Sequence, residues 1–195
     1  MTDVTQTVFH DHAEEISQEL RRSESGAHFL IVYPDLQTLR EMYSHYTKSA
    51  LFDGDEIVVI LPFYETADNV RRVLSENGAN IDVRKYQKEQ SLLVMDSLKG
   101  YFGKEGIMPF VKQTVKFAKN SGKSSVSVLS DMGSFFYYNK KDNLMDWEMK
   151  LPHRFEGNLK GFCLYHRQDF DARFSESDQH ILLKHHCKAF DLLPF

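Results

Sequence analysis

"HFLIVYPDLQTLREMYSHYTKSALFDGDEIVVILP" (residues 28–62) decides the fold. The apolar runs at 28–34 and 56–63 lack polar alternation, so they predict strands that are buried on both faces. Asp35 is a candidate N-cap and Gly54 a candidate terminator of a helix between them. Apolar side chains recur at helical spacing in that segment, at Leu36, Leu39, Met42, Tyr43 and Tyr46. A strand, a helix and a second strand in this order indicate a parallel sheet.

The rest of the chain continues this alternation. Further strands are predicted at 81–90, 91–97, 124–131 and 160–170. Further helices are predicted at 10–23, 65–78, 107–122, 141–156 and 175–190, and the second of these ends in Asn-Gly. The predicted fold is therefore α/β, with three layers, a mostly parallel central sheet and helices on both faces, as in RecA-like and Rossmann-like proteins. Residues 1–25 are predicted to form a helical lead-in, and residues 26–195 a single domain.

Composition and charge narrow the class of protein. A chain of 195 residues, 42% of them hydrophobic, is long enough for one well-buried core. The formal net charge of −4 provides no basic field, which argues against direct nucleic-acid binding. No secretory signal or membrane-length apolar run is present, so we expect a cytoplasmic protein without membrane contact. Cys163 and Cys187 form no CxxC pair, and we expect both thiols to be reduced.

An acid ends one of the predicted buried strands. The run SVSVLSDMG (125–133) is apolar until Asp131. In an open α/β sheet, ligands bind at the carboxyl ends of the strands. This rule selects the positions 33–35, 62–64, 96, 131–134 and 165–167 in advance. Asp131 therefore has two interpretations at this point, a ligand-binding acid or an acid that caps a turn.

The sequence lacks the motifs of several enzyme classes. Neither YPDLQTL (33–39) nor PFYETAD (62–68) contains the glycines, lysine or GK[ST] ending of a phosphate loop, so ATP turnover is not expected. There is no GxSxG elbow and no HExxH motif. Cys163 and His166 fall on opposite faces of their strand and cannot form a nucleophile–base pair.

No local spacing of histidines and cysteines points to a metal. His10 and His12 are close enough in sequence to hold an ion. His185, His186 and Cys187 crowd one turn, but neighbouring helical residues point about 100° apart and do not chelate together. We therefore expect no metal site and no cofactor.

Several residues together resemble the MEDS family, the methanogen and methylotroph sensory domain. His28 precedes the first strand, Gly54 and Asp55 precede the second, and Asp131 with Met132 follows a later one. The remaining matches are Trp147 with Glu148, Cys163 with Tyr165 in a CxY strand, and His185 in the last helix. The resemblance covers about residues 26–190.

The resemblance implies a RecA- or KaiC-like fold without a phosphate loop and a non-enzymatic sensory or regulatory role. It implies a small organic ligand, or a regulatory protein partner that supplies the output, since the chain ends at DLLPF without an output domain. The alternative is a degenerate nucleotide-binding protein or enzyme relic. Self-association is a further expectation. The candidate ligand-binding residues are His28, Tyr33, Asp131, Met132, Glu148, Cys163, Tyr165 and His185.

Three finer expectations concern some of these residues and the aromatic run at 135–138. Asp131 and Glu148 are expected to meet as paired carboxylates, one of them with a raised pKa. Cys163 and Tyr165 share a strand face at period two, although Cys163 has the alternative interpretation of an inert core thiol. The aromatic run 135–138 cannot face inward as a whole, so it either lines a pocket or an interface, or packs a loop onto the core.

Overall fold

A computed structural model of the protein describes residues 4–53, 55–76 and 79–194, with side chains from residue 13 onward. The strands are His28–Tyr33 (β1), Ile57–Leu61 (β2), Leu92–Val94 (β3), Val126–Asp131 (β4), Leu159–His166 (β5) and Lys188–Asp191 (β6). The helices are Val4–Arg22 (α1), Leu36–Phe52 (α2), Ala67–Ser75 (α3), Val83–Lys88 (α4), Ser97–Phe102 (α5), Ile107–Asn120 (α6), Gly133–Tyr137 (α7), Lys141–Lys150 (α8), Arg167–Arg173 (α9) and Glu176–His185 (α10).

The six strands form one parallel sheet in the order β3-β2-β4-β5-β1-β6. Strands β2 and β3 lie on one side of β1, with β3 at the edge of the sheet. Strands β4 and β5 then fill the space between β2 and β1, and β6 pairs with the other side of β1. Every residue of β1, β2 and β4 is buried, which explains why apolar side chains predominate in these strands. The predicted three-layer α/β fold with a parallel sheet is confirmed.

The helices lie in two layers that cover opposite faces of the sheet. Helices α1 to α4 form the first layer, and α5 to α10 form the second. Because strand side chains alternate, β1 directs Phe29, Ile31 and Tyr33 to the first layer and Leu30 and Val32 to the second. Each residue on β4 and β5 can be assigned to one layer in the same way.

Helix α1 is joined to the sheet by buried charges. Glu56, directly before β2, accepts from Arg21 Nη1 at 2.5 Å, and Lys160 Nζ lies 3.3 Å from its carboxylate. The hydroxyls of Tyr46 and Ser127 complete its hydrogen bonds at 3.1 and 2.7 Å. Apolar side chains of α1 are also buried, including Ile16 and Leu20. The segment predicted as a lead-in thus packs into the same core as α2.

Several predicted elements differ from the structure, among them the helix predicted at 141–156, which ends at Lys150. The strand predicted at 81–90 is wrong, because Asp82 accepts from Lys85 N–H and starts helix α4 there. The strand predicted at 160–170 ends at His166, where α9 begins. The last predicted helix ends at His185 and is followed by β6, an edge strand whose burial is only partial.

The ends of two helices were also predicted. Asp35 is the N-cap of α2, and its side chain accepts from Thr38 N–H at 2.9 Å. The proposed terminator Gly54 and the Asn-Gly at 77–78 lie outside the described residues. Among the described helices, none has both the length and the apolar content that crossing a bilayer requires.

Candidate functional site

Four of the eight predicted site residues meet on the second-layer side of the sheet. His28 opens β1, Cys163 and Tyr165 alternate on β5, and Glu148 lies one turn after Leu144 on the inner face of α8. His186, directly after α10, joins them. We call these five residues, His28, Glu148, Cys163, Tyr165 and His186, the buried polar cluster, because all are buried. The shared face of Cys163 and Tyr165 is confirmed, since both contact Glu148.

Glu148 is the centre of the cluster. Its Oε2 lies 3.7 Å from Cys163 Sγ, 3.8 Å from His28 Nε2 and 3.5 Å from His186 Nε2. The Cys163 Sγ and His28 Nε2 atoms are 3.4 Å apart. The Tyr165 hydroxyl donates to the other carboxylate oxygen, Oε1, at 2.5 Å. One carboxylate oxygen is therefore held by Tyr165, and the other faces three potential ligand atoms.

Both histidines of the cluster are oriented by backbone carbonyls. His28 Nδ1 lies 3.0 Å from the Pro152 carbonyl oxygen, and His186 Nδ1 lies 2.7 Å from that of Leu182. A carbonyl oxygen only accepts, so Nδ1 donates its proton in each ring. In the neutral imidazole the lone pair is then at Nε2, which in both residues faces Glu148. Within the described part of the chain, the buried His186 Nε2 makes no hydrogen bond.

The surroundings of the cluster set its charge. Burial opposes ionisation of Glu148, but the His186 imidazole in its protonated form, the Tyr165 hydroxyl and His28 together lower the pKa of its carboxyl. Burial, reinforced by His186, lowers the pKa of His28 to about 4. Burial, reinforced by Glu148, raises the pKa of the Cys163 thiol well above its usual value. At neutral pH, the cluster therefore holds a carboxylate beside a neutral thiol and a neutral His28.

Tyr33 and Asp131 form a separate pair on the first-layer side of the sheet. The Tyr33 hydroxyl donates to Asp131 Oδ2 at 2.7 Å, across the intervening strand β5. Ser130 and Cys163 are register partners facing the second layer, so Asp131, the next residue, faces the first. The structure therefore does not bring Asp131 and Glu148 together, and the expected pair of carboxylates is not formed.

Asp131 also fits the simpler interpretation of a turn residue. Its Oδ1 accepts from Gly133 N–H at 2.9 Å, at the start of α7. Burial raises the pKa of its carboxyl to about 7, although the bonds from Tyr33 and Gly133 lower it in part. The raised pKa expected for one carboxylate is found here, but its main cause is desolvation, with a smaller contribution from the charge of Glu65 and none from Glu148.

An apolar pocket adjoins the cluster. It lies between α6, α8 and the second-layer face of β4 and β5, and its volume is about 50 Å³. Cys163 belongs both to the pocket wall and to the cluster. Trp147 also lines the pocket, and its buried Nε1 has no hydrogen-bond partner among the described residues. Met132, another predicted site residue, lines it from the end of β4 and contacts the Tyr101 hydroxyl at 3.7 Å.

His185 is the last of the predicted site residues. It does not belong to the cluster, which contains its neighbour His186 instead. The His185 Nε2 donates to the Leu151 carbonyl oxygen at 2.9 Å, so it holds the end of α8. His186 was missed because spacing rules compare only neighbours in sequence. A usable signal was present in α8, where Glu148 occupies an inward position one turn from Leu144. An acid in an apolar stripe indicates a buried polar contact.

The aromatic run 135–138 is divided between core and surface. Phe135 and Phe136 are buried, whereas Tyr137 is 70% exposed and Tyr138 48% exposed. Core packing accounts for the first two side chains. The two tyrosines are available to solvent or to a partner.

The comparisons with known proteins identify a family. A family model described as the MEthanogen/methylotroph, DcmR Sensory domain (MEDS) matches residues 27–185. No curated protein matches the chain. The family match takes in both the Tyr33–Asp131 pair and all of the buried polar cluster except His186. Since it spans well over half of the 195 residues, the chain belongs to the MEDS family of sensory domains.

Proposed function

We propose that this protein is a non-catalytic sensory module that binds a small organic molecule in the pocket between α6, α8, β4 and β5. The module then signals ligand binding to a regulatory protein partner. The observation that carries the proposal is the apolar pocket of about 50 Å³ beside Cys163 and the buried polar cluster. The MEDS family supports a sensory or regulatory role in general.

The size and lining of the pocket define the class of ligand. One water needs about 10–15 Å³ of such volume, so the pocket accepts a molecule of about three to five heavy atoms. Its walls are mostly apolar side chains, such as Val111 and Val128. The unpaired Nε1–H of Trp147 is a donor for a single acceptor atom. A small, mostly apolar molecule with one acceptor satisfies both features.

The first strand–helix connection favours this function over nucleotide binding. In nucleotide-binding α/β proteins, phosphates bind at the N-terminus of the helix that follows a strand. Here the Asp35 carboxylate already accepts from Thr38 N–H at the start of α2. A phosphate would have to displace this carboxylate and overcome its charge. Calorimetry with ATP and Mg²⁺ distinguishes the two functions, because the sensory module is expected to give no heat of binding.

The single tryptophan supplies a direct test of the pocket. Acetone, acetamide and dichloromethane serve as probes, because they match the pocket in size and differ in acceptor strength. We expect at least one probe to raise the thermal midpoint and to change the Trp147 fluorescence in a saturable way. If no probe of this size saturates either signal, the pocket is not a ligand site.

A pair of variants makes the test specific. Val128→Leu fills the pocket, whereas Val58→Leu adds the same atoms to β2 on the first-layer side. We expect the probe response to be lost in Val128→Leu and kept in Val58→Leu. A response that survives in Val128→Leu would place binding elsewhere.

Cys163 tests whether the cluster takes part in the response. Cys163→Ser changes one buried atom, so we expect the fold to remain intact and the probe response to weaken. Circular dichroism controls for folding. If both proteins respond equally, Cys163 is not part of the binding site and acts as a core thiol.

A further inference from the structure

Four potential metal ligands converge in the buried polar cluster. His28, Glu148, Cys163 and His186 each direct one ligand atom to a common point, and these atoms all lie within 4.8 Å of one another. We propose that these four residues form a buried site for a divalent transition-metal ion, which Zn²⁺ fits best. The proposal rests on the geometry of the cluster and does not depend on the proposed ligand pocket.

The spacing of the ligand atoms matches a tetrahedral site. Zn–N and Zn–O bonds of about 2.0–2.1 Å and a Zn–S bond of about 2.3 Å place tetrahedral ligand atoms about 3.3–3.6 Å apart. Four of the six pairs here are 3.4, 3.5, 3.7 and 3.8 Å apart. The remaining two pairs join His186 to His28 and to Cys163. Both pairs are within 4.8 Å, so closing them to the tetrahedral distance takes a movement of about 1.5 Å or less.

The outer contacts are those of a metal site. Histidines that bind metals usually donate the other ring nitrogen to a carbonyl or carboxylate, which directs the lone pair to the ion. His28 and His186 do this through the carbonyls of Pro152 and Leu182. The Tyr165 hydroxyl fixes the remaining oxygen of Glu148 in the same way.

An unpartnered atom gives independent support for a missing ligand. The Nε2 of His186 is buried and lies 3.5 Å from Glu148 Oε2, but it makes no hydrogen bond to any residue that the structure describes. A buried polar nitrogen that makes no hydrogen bond destabilises the folded state. Coordination of an ion at the common point gives this nitrogen its partner.

The charges of the site balance a divalent cation. Metal binding requires the thiolate form of Cys163, so the thiol proton leaves to solvent as the metal–sulfur bond forms. One thiolate, one carboxylate and two neutral imidazoles then neutralise a 2+ ion. A neutral assembly suits a site without solvent contact, because a net buried charge is costly there.

The ligand types select among metals. One sulfur and two imidazole nitrogens are soft or intermediate ligands, which favour Zn²⁺, Co²⁺ or Cu over Mg²⁺ and Ca²⁺. All four positions are supplied by the protein, and closed tetrahedral sites of this kind are structural. The ion would join the first strand, α8, β5 and the segment after α10. The ion would therefore have a structural role, in which it connects the first strand to the segment after α10, and not a catalytic one.

Cobalt provides a direct test, because tetrahedral Co²⁺ with a thiolate ligand has intense visible bands and a near-ultraviolet charge-transfer band. The full-length protein is stripped of metal with a chelator under reducing conditions, and Co²⁺ alone is added. We expect one equivalent to bind with both bands, release of about one proton and a higher thermal midpoint. Zn²⁺ should then displace Co²⁺ and remove the colour.

Matched variants locate the site. Cys163→Ser is expected to remove the charge-transfer band, whereas Cys187→Ser, which changes the other cysteine, should keep it. His186→Gln should weaken Co²⁺ binding at least tenfold, whereas His185→Gln at the adjacent position should leave it within twofold. Circular dichroism shows whether each variant is folded.

Two outcomes overturn the proposal. One is the absence of a saturable cobalt spectrum in the folded wild-type protein. The other is a spectrum that survives Cys163→Ser but is lost in Cys187→Ser or His185→Gln. Neither outcome affects the pocket, since the probe response of Val128→Leu against Val58→Leu is measured without metal. The expectation of no metal site, drawn from local spacing alone, is tested by the same titration.

Discussion

At the scale of single residues, Asp131 makes its own contribution to the pH dependence of stability, which is isolated by comparison with a variant. Its pKa is about 7 in the folded protein and near 3.8 in the unfolded chain. The folded state therefore binds the proton more tightly, and this contribution is fully present below about pH 4 and lost as the pH rises through about 7. Relative to Asp131→Asn, we expect the wild type to lose up to about 4 kcal/mol between these limits. Urea unfolding of both proteins across this range measures it.

The amide of Asn matches the protonated carboxyl, so the variant should keep the turn. Its oxygen can accept from Gly133 N–H, and its NH₂ can donate to the Tyr33 hydroxyl. Asp96→Asn is the matched control, because Asp96 caps α5 at an exposed position. If wild type and Asp131→Asn show the same pH dependence, the carboxyl does not titrate in this range and serves only the turn.

Tyr165→Phe tests the hydrogen bond at the centre of the cluster. It removes the hydroxyl that donates to Glu148, and a hydrogen bond to a charged group contributes about 1.5–3 kcal/mol. We expect a loss of that size in the free energy of unfolding. Tyr64→Phe removes an exposed hydroxyl that donates to Asp169, and should change stability by less than about 0.5 kcal/mol. Equal effects of the two substitutions would contradict the structure.

The residues of the candidate site could be predicted from the sequence only in part. Strand alternation placed Cys163 and Tyr165 on one face, and both contact Glu148. The same rule could not place Glu148 relative to Asp131, because they lie on different elements and the sheet separates them. His186 was beyond local rules, since its partner His28 lies at the other end of the chain.

At the scale of elements, the attachment of α1 depends on Glu56. Glu56→Gln leaves the Lys160 ammonium buried without a counter-charge, and breaking a buried pair in this way costs about 3–5 kcal/mol. We therefore expect a loss of stability in this range. We also expect faster hydrogen exchange in α1, because Arg21 loses the same partner.

The surface pair of Arg72 with Glu76 provides the comparison. Both side chains are more than half exposed, so Glu76→Gln should cost less than about 1 kcal/mol. If Glu56→Gln is as mild as Glu76→Gln, then water replaces the buried contacts and the charges do not anchor α1.

Strands that are buried on both faces were easier to predict from the sequence than short or exposed elements. The strands β1, β2 and β4 are buried on both faces, so their apolar runs were unambiguous. Helix α4 was predicted as a strand because its six residues are too few to show helical spacing. Strand β6 was missed because it is a short edge strand with two exposed positions, and nothing distinguishes such a segment from the end of a helix.

At the scale of the whole molecule, removal of residues 1–25 tests the predicted domain boundary. A chain of residues 26–195 lacks the buried side chains of Ile16 and Leu20, each of which contributes about 1.5–3 kcal/mol. It also loses the Arg21 contact to Glu56. We expect a lower urea midpoint or insolubility. An unchanged midpoint would show that residues 1–25 are a dispensable lead-in.

The fold class was predictable as a whole, because alternating strands and helices allow few arrangements. The location of the buried polar cluster was not predictable from the sequence. The rule for α/β sheets directs attention to the carboxyl ends of the strands, where it selected Tyr33, Asp131 and only one member of the cluster, Tyr165. The cluster instead uses His28, the first residue of β1, and is held beneath α8 and α10.

The strand order also has a consequence for synthesis on the ribosome. Strand β1 is the first strand to be made, yet its two neighbours, β5 and β6, are the last two. At about 5–20 residues per second, HFLIVY waits on the order of ten seconds before Gly161 is available to pair with His28. Throughout that time both edges of an apolar strand are unpaired, which favours pairing between nascent chains. Newly made chains of this protein should therefore depend on a chaperone that shields β1 until the sheet is closed around it.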